Sequence, residues 1–183
     1  DVLQGHLMQL LAITLMHIDD DFTLDNLPKY RLDALNKIVP ANPELTIRGQ
    51  DDGYDQEVDN PGSLVETFVS TKLESADDQW RGTEIRLTTG KAMNKKSTSI
   101  TIVYKDGSID VFEEGSASGG NYPTAYEHVL LEAIKGSKSI FTTGDEVIRS
   151  WEILAPIQEA WSMSDEQPKK YHRGSSVEDI IAA

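Results

Sequence analysis

The sequence predicts an α+β domain in which helices pack on one face of a mainly antiparallel sheet. Three observations favour this class: helical patterns open the chain, strand patterns occupy its middle, and helical patterns return towards its end. The strand-like segments are joined by turns of hairpin length, whereas parallel neighbours need long crossovers. No glycine-rich turn follows a strand, so a doubly wound nucleotide-binding fold is not expected in this chain.

Two helices are expected before the strands. In residues 2–16 the apolar side chains share one helical stripe, which predicts a mostly buried helix. Pro28 suits the first turn of a second helix over residues 29–39, and Pro40 ends it. Residues 44–61 are acidic, contain glycine and show no periodicity, so we expect them to form a loop.

Four strands are expected in the middle of the chain. VETFVSTKL, EIRLTT and STSITIVY alternate with a period of two and are rich in β-branched residues. Asp106 and Gly107 mark a tight hairpin, so residues 109–112 should return beside residues 100–104. Residues 113–121, EEGSASGGN, are small and polar and predict a flexible loop.

Two further helices are expected after that loop. PTAYEHVLLEAIKG has proline at its start and glycine just past its end. Thr143 and Glu146 have the spacing of a capping box, which predicts the start of the last helix and gives Glu146 a structural role. The polar residues 163–183 are expected to lie on the surface.

Composition limits the class of protein. The chain has 183 residues, of which 38% are hydrophobic, so it can form the core of one domain. Its formal net charge of −14 repels nucleic acid and anionic membranes, and neither is an expected partner. The longest apolar run, Leu10–Met16, is too short to cross a bilayer. The absence of cysteine excludes thiolate metal sites and disulfides and favours the cytoplasm.

Three lysines stand within six residues of this acidic chain, in the segment TTGKAMNKK. From the residues alone, Lys91, Lys95 and Lys96 are most simply a solvated turn. The alternative is an anion site, because an ammonium group beside a glycine at a strand end can approach a phosphate dianion as a point charge.

A series of segments, in order along the chain, resembles the C-terminal domain of the glucose-6-phosphate dehydrogenase family. VLQGHLMQLLAITLM resembles the family helix VxQNHLLQLLxLxxME, RGQ resembles its RGQY loop, and PGSLVETFVSTKLE resembles its PxSxTETFxAxKLxIxN strand. TTGKAM is similar to RTGKxL, and PTAYEHVLLEAIKG is similar to PEAYExLLLDxxxG. YHRGSS resembles the start of the family ending YxxGSxGP.

The resemblance implies part of an enzyme that oxidises glucose 6-phosphate with NADP in the pentose phosphate pathway. The family lysine that contacts the sugar phosphate corresponds to Lys91, so a substrate-binding role is expected for Lys91 alone. Residues 1–183 are expected to be a single C-terminal domain that forms a homodimer through its sheet. The N-terminal Rossmann domain and the histidine motif RIDHYLGK do not occur in this sequence, so we expect a piece of a longer protein that is inactive alone.

Departures from the family pattern keep a second function open. Thr88 stands where the family has an arginine before TGK, and only residues 108–122 fill an interval that holds further strands in the family. The sheet is therefore reduced, or a segment has been omitted. A non-catalytic homologue that binds sugar phosphate or serves assembly would tolerate both departures. A third possibility is an unrelated acidic interaction domain, against which the ordered motifs argue.

No other titratable residue is expected to act in catalysis or metal binding. No two of the four histidines have metal-ligand spacing, and His6 and His17 are most simply structural. The acidic runs at residues 19–21 and 51–52 lack the pattern of a calcium loop and suit solvated turns. The three tryptophans are expected to pack in the core or at an interface.

Overall fold

The structure is a computed structural model that describes residues 2–113 and 125–182. Its helices are α1 Met8–Leu15, α2 Leu27–Asn36, α3 Tyr54–Glu57, α4 Ala125–Ile134, α5 Gly144–Ser162 and α6 Val177–Ala182. Its strands are β1 Thr46–Asp51, β2 Phe68–Leu73, β3 Ile85–Gly90, β4 Ser99–Val103, β5 Ile109–Glu113 and β6 Lys169–Tyr171. A π-helical turn, Leu3–Leu7, leads into α1. The chain divides into two compact units, a larger one of Asp1–Asn94 with Ser139–Ala183 and a smaller one of Lys95–Lys138.

The larger unit contains a four-stranded sheet in the order β3-β2-β1-β6. β2 runs antiparallel to both β1 and β3, and only the short β6 lies parallel to its neighbour β1. The sheet is therefore mainly antiparallel, as the sequence predicted. It follows that β1, β3 and β6 all end at the same edge of the sheet, where β2 begins.

The helices α1, α2 and α5 cover one face of this sheet, and the short helix α6 packs on the other. Side chains alternate along a strand, so Leu73 points to one face and Phe68 to the other. The core on the Leu73 face joins α1, α2 and α5 to β2 and β3. Its fully or nearly fully buried members are Met8, Leu11, Ala12, Leu15, Leu35, Ile38, Ala41, Leu73, Ile85, Leu87, Ile153, Leu154 and Ile157. Trp80 and Trp161 pack against this core as expected, whereas Trp151 is 42% exposed.

A buried ion pair ties α2 to α5. Arg31 Nε lies 2.6 Å from Glu146 Oε1, and both side chains are almost fully buried. Thr143 and Glu146 form the predicted capping box at the start of α5. Burial alone would raise the pKa of Glu146, but bonds from Arg31 and Thr143 outweigh it and hold that pKa below its ordinary value. Glu146 thus has the structural role that its spacing suggested.

The prediction of a loop over residues 44–61 is wrong in two places: residues 54–57 form α3, and residues 46–51 form the strand β1. This strand is flanked on both sides, and its residues Gln50 and Asp51 are 0% and 2% exposed. Gln50 donates to the carbonyls of Ser63 and Val65, so its burial is compensated. The segment looks like a loop because polar side chains occupy positions where an interior strand usually carries apolar ones.

The prediction that residues 163–183 lie on the surface holds for most of the described residues of this segment, but it is wrong at β6 and α6. Tyr171 in β6 is 5% exposed, and Ile180 in α6 is 2% exposed. Both pack with Phe68 in a second core cluster on the face of the sheet opposite Leu73. A strand of three residues and a helix of six residues are too short for their periodicity to be recognised in the sequence.

The smaller unit contains the predicted hairpin. β4 and β5 pair antiparallel, with Ile100 opposite Phe112 and Val103 opposite Ile109. Gly107 adopts a φ of +86°, which explains the glycine in the connecting turn. These strands form a sheet of their own instead of extending the larger one.

α4 lies within the predicted helix, whereas its proline and the loop predicted after residue 113 fall outside the described residues. Among the described helices, none is long and apolar enough to cross a membrane.

Candidate phosphate-binding site

Lys91 follows directly on the last residue of β3, at the edge where β1 and β6 also end. Gly90 lies against the buried Phe68: a Cβ placed on Gly90 would stand 2.8 Å from Phe68 Cδ2 and 2.7 Å from Met93 Sδ. A glycine is therefore needed for β3 to finish this close to the second core cluster. The side chain of Lys91 is exposed to solvent just beyond this contact.

The backbone of Lys91 is fixed on both sides. Its N–H donates to the carbonyl of Thr67 at 2.8 Å, and its own carbonyl accepts from the hydroxyl of Tyr171 at 2.8 Å. The next residue, Ala92, adopts a φ of +53° and accepts from the N–H of Gly174 at 2.7 Å. The TGKAM segment is thus held by the strand-to-helix segment YHRGSS, from which the sequence resemblance also drew its last motif.

The other cations at this edge are paired with carboxylates. Three basic side chains in β6 or just after it pair with acidic side chains at the end of β1 or just after it. Arg173 Nε lies 2.8 Å from Asp51 and its Nη2 2.6 Å from Glu57, Lys170 lies 3.2 Å from Asp55, and His172 lies 2.6 Å from Asp52. The bond from His172 holds the pKa of Asp52 below its ordinary value. Bonds to Glu57 and Asp51 raise the pKa of Arg173, which stays protonated.

Lys91 differs from these neighbours. Within the described residues, no carboxylate lies within ion-pair distance of its ammonium group. An exposed ammonium group with no acidic partner in the described residues, at an edge where the other basic side chains are already bound to carboxylates, is available to an anionic ligand. Lys95 and Lys96 belong to the smaller unit, where Lys95 lies 3.6 Å from Glu113. Of the three lysines, Lys91 therefore stands at the sheet edge of the larger unit.

Thr88 does not supply a second cation. Its hydroxyl lies 2.9 Å from that of Ser70 on the neighbouring strand, in the register that pairs these two residues. The position is thus occupied by a hydrogen bond within the sheet, where the family pattern has an arginine.

The described residues offer no evident general base or metal centre. They contain no group of three or more His, Asp or Glu side chains that could hold a metal ion. His172 is 92% exposed and bound to Asp52, and His17 lies 3.2 Å from the amide oxygen of Gln79. Nor does any strand in these ranges lead through a glycine-rich turn into a helix, which is the arrangement that binds a dinucleotide.

Sequence reasoning missed two residues of this site, Thr67 and Tyr171. Both are buried and both bond to Lys91, yet Thr67 is one of many strand threonines and Tyr171 lies in a segment assigned to the surface. The signal that could have found Tyr171 is its place as the first residue of the YHRGSS motif.

Comparisons with known proteins agree with the fold and the motifs. The family model for the glucose-6-phosphate dehydrogenase C-terminal domain matches residues 1–122 and 113–180. A glucose-6-phosphate 1-dehydrogenase of Chlamydia muridarum is 30% identical over 220 aligned residues, which cover 88% of this chain and 43% of that protein. A relative from Arabidopsis thaliana named "glucose-6-phosphate 1-dehydrogenase 5, cytoplasmic" is 23% identical over 96% of this chain and 42% of its own length. A solved glucose-6-phosphate dehydrogenase in complex with its substrate glucose-6-phosphate has the same fold, with a TM-score of 0.79 at 22% identity over 100% of this chain and 49% of that chain.

The chain spans less than half the length of these relatives. The alignment of 220 residues is also longer than the 183 residues of this chain, so the Chlamydia relative has residues that this chain lacks. The family match is broken into two pieces that meet at residues 113–122, within the interval that the sequence marked as short. With both pieces matched in order and the fold shared, this chain belongs to the glucose-6-phosphate dehydrogenase C-terminal domain family.

Proposed function

We propose that residues 1–183 form the substrate-binding and dimerisation domain of a glucose-6-phosphate dehydrogenase. The complete protein would oxidise D-glucose 6-phosphate to 6-phosphogluconolactone with NADP, in the oxidative pentose phosphate pathway of the cytoplasm. Membership of the family supports the reaction, and the printed name of the Arabidopsis relative supports the compartment. The observation that carries the proposal is the exposed, unpaired ammonium group of Lys91 at the sheet edge, within the residues that the structure describes.

Lys91 would act by binding the phosphate group of the substrate. A phosphate monoester carries close to two negative charges at neutral pH, and a chain with a net charge of −14 repels it at long range. A local cation that is not already neutralised offsets this repulsion where the phosphate must sit. The general base and the NADP site would come from the remainder of the protein, because the described residues offer neither.

Replacing Lys91 tests this role in the complete protein. Lys91→Ala should raise the KM for glucose 6-phosphate about tenfold to a hundredfold, since one charge-assisted contact contributes about 1.5–3 kcal/mol. Lys91→Arg should recover part of the affinity because it keeps the positive charge. The measurement is steady-state kinetics with glucose 6-phosphate as the varied substrate.

Lys72→Ala is the matched control. Lys72 lies near the end of β2, whereas Lys91 lies at the edge of the sheet where β2 begins. Lys72 pairs with Glu84 at 2.8 Å. The substitution Lys72→Ala removes one positive charge from the same unit without changing the proposed site, so the KM should not change. If Lys91→Ala behaves like this control, Lys91 does not bind the phosphate.

A non-catalytic homologue that binds sugar phosphate is the second candidate. Thr88 favours it, because this residue bonds to Ser70 and supplies no second cation for the substrate. The short interval around residues 113–122 favours it as well. Reading the coding sequence upstream of Asp1 separates the two candidates. A glycine-rich strand-turn-helix and an HYLGK segment would support the enzyme, and a start codon close to Asp1 would support the binding protein.

A further inference from the structure

Three buried hydrogen bonds connect β1 to Lys91 through two side chains. The N–H of Asp51 donates to Thr67 Oγ1 at 2.8 Å, Thr67 Oγ1 lies 2.8 Å from the hydroxyl of Tyr171, and that hydroxyl donates to the carbonyl of Lys91 at 2.8 Å. Asp51, Thr67 and Tyr171 are only 2%, 9% and 5% exposed, so water does not compete for these groups. None of them is explained by contact with a ligand.

The direction of this chain of hydrogen bonds is fixed by chemistry. A carbonyl oxygen has no proton, so the hydroxyl of Tyr171 must donate to Lys91, and a phenol has only one proton to give. The Thr67 hydroxyl must therefore donate to Tyr171. Its own oxygen then accepts from the backbone N–H of Asp51. Each proton is donated once, so these hydrogen bonds can be donated only in the direction from β1 towards Lys91.

The ring of Tyr171 is held as firmly as its hydroxyl. It packs edge to face on Phe68 with the ring centroids 5.9 Å apart, and a Cβ on Gly49 would stand 3.2 Å from Tyr171 Cδ1. The backbone carbonyl of Tyr171 accepts from the N–H of Asp52 at 3.0 Å. Burial also raises the pKa of Tyr171, so the phenol keeps its proton at neutral pH.

We propose that Tyr171 is a positioning residue that fixes the phosphate-binding Lys91 through the hydrogen-bond chain from Asp51 and Thr67. The carbonyl of Lys91 is held by Tyr171 and its N–H by the carbonyl of Thr67, so the side chain starts from a fixed point at the sheet edge. A cation on a fixed backbone loses less conformational entropy when it binds an anion. This inference rests on the proposed function, because it assumes that Lys91 binds the substrate phosphate.

Tyr171→Phe in the complete protein removes one proton donor and keeps the ring on Phe68. The KM for glucose 6-phosphate should rise about threefold to tenfold, the effect of one lost hydrogen bond, while kcat stays within about twofold. Tyr104→Phe is the matched control, because Tyr104 also loses a hydrogen bond to a protein group, Asp110, but in the smaller unit. It should leave the KM unchanged.

The hydrogen bond from Thr67 to Tyr171 can be tested by rescue. Thr67→Val removes the donor to Tyr171 while preserving the shape of the side chain, and it should raise the KM in the same range. Thr67→Ser restores the hydroxyl and should return the KM towards that of the unmodified protein. A KM that rises with Thr67→Ser but not with Thr67→Val would mean that the Thr67 methyl group, rather than its hydroxyl, matters, and would overturn the inference.

The double variant separates this inference from the proposed function. If Tyr171 acts through Lys91, Tyr171→Phe should add nothing to the KM in the Lys91→Ala background, because interacting positions are not additive. An equal rise in both backgrounds overturns the positioning role and leaves the role of Lys91 intact. If Lys91→Ala itself leaves the KM unchanged, the proposed function fails first.

Discussion

All three guanidinium nitrogens of Arg31 donate hydrogen bonds to groups of the protein. Its Nε and Nη2 bind Glu146, while Nη1 and Nη2 donate to the carbonyls of Ser139 at 2.9 Å and Phe141 at 2.7 Å. The carboxylate of Glu146 also accepts from Thr143, which caps the start of α5. One side chain of α2 therefore fixes both the start of α5 and the segment before it.

Removing Arg31 should cost far more stability than removing an exposed arginine. Arg31→Ala leaves the Glu146 carboxylate buried without its charge partner, and breaking such a pair typically lowers the free energy of unfolding by about 3–5 kcal/mol. Arg81→Ala breaks a solvent-exposed ion pair with Asp78 and should change the free energy of unfolding little. Equilibrium unfolding in urea measures both variants. Similar losses for the two would show that Arg31 and Glu146 do not lock α2 to α5.

Spacing in the sequence predicted one part of this arrangement and not the other. Thr143 and Glu146 are three residues apart, so their capping box follows from local pattern alone. Arg31 is separated from Glu146 by 115 positions, and nothing in either local pattern indicates the pairing. The same holds at the candidate site, where Lys91 could be predicted from its motif but its bond to Tyr171 could not.

At the scale of elements, the end of β3 and the strand-to-helix segment after β6 form one structure. Gly90 allows β3 to finish against Phe68. Tyr171 at the end of β6 binds the backbone of Lys91, and the segment after β6 binds the backbone of Ala92 and Asn94. The β-strand predictions succeeded where β-branched residues alternate, as in β2 and β4. They failed for β1 and β6, because β1 buries polar residues and β6 has only three residues.

Gly90→Ala tests whether the end of β3 needs this close approach. The added methyl group would overlap Phe68, which is fully buried and cannot move aside as easily as Met93. Overpacking of this kind costs about 1–3 kcal/mol, so the free energy of unfolding should fall by that amount and the KM should rise as Lys91 shifts.

Gly144→Ala is the matched control for that substitution. Gly144 begins α5, and a Cβ placed there meets nothing within 4 Å. This change should be neutral or slightly stabilising, because alanine favours the helix and restricts the unfolded chain. Thermal unfolding and kinetics on both variants give the comparison. A Gly90→Ala variant as stable as Gly144→Ala would show that β3 can end without the glycine.

At the scale of the whole molecule, association is the remaining part of the proposed function. The smaller unit exposes several apolar side chains on its hairpin: Val103 is 67%, Ile109 58%, Val111 54% and Phe112 57% exposed. In the register of the hairpin, Val103, Ile109 and Val111 share one face, and Phe112 lies on the other. A face that carries three exposed apolar side chains is typical of a surface that binds another protein. These exposed side chains support the homodimer that we propose for the complete protein, with the β4–β5 sheet at its interface.

Val103→Glu should weaken that dimer in the complete protein. The new carboxylate would lose its water when a second copy covers β4, and an unpaired buried charge strongly opposes association. Val58→Glu makes the same exchange at an exposed valine that follows α3 outside both sheets, and should leave the dimer intact. Sedimentation velocity at several concentrations reports the mass of both variants. A Val103→Glu protein that remains as dimeric as the control would exclude this sheet as the interface.

The central claim is that one ammonium group, at the edge of the sheet in an acidic protein, recognises the phosphate of the substrate. Glucose lacks that phosphate, so the contact with Lys91 should matter for one substrate and not for the other. The most direct measurement is the ratio of kcat/KM for glucose 6-phosphate to that for glucose, in the complete protein with and without Lys91→Ala. The account predicts that the ratio falls about tenfold to a hundredfold through glucose 6-phosphate alone. An equal fall for both substrates, or an unchanged ratio, would contradict it.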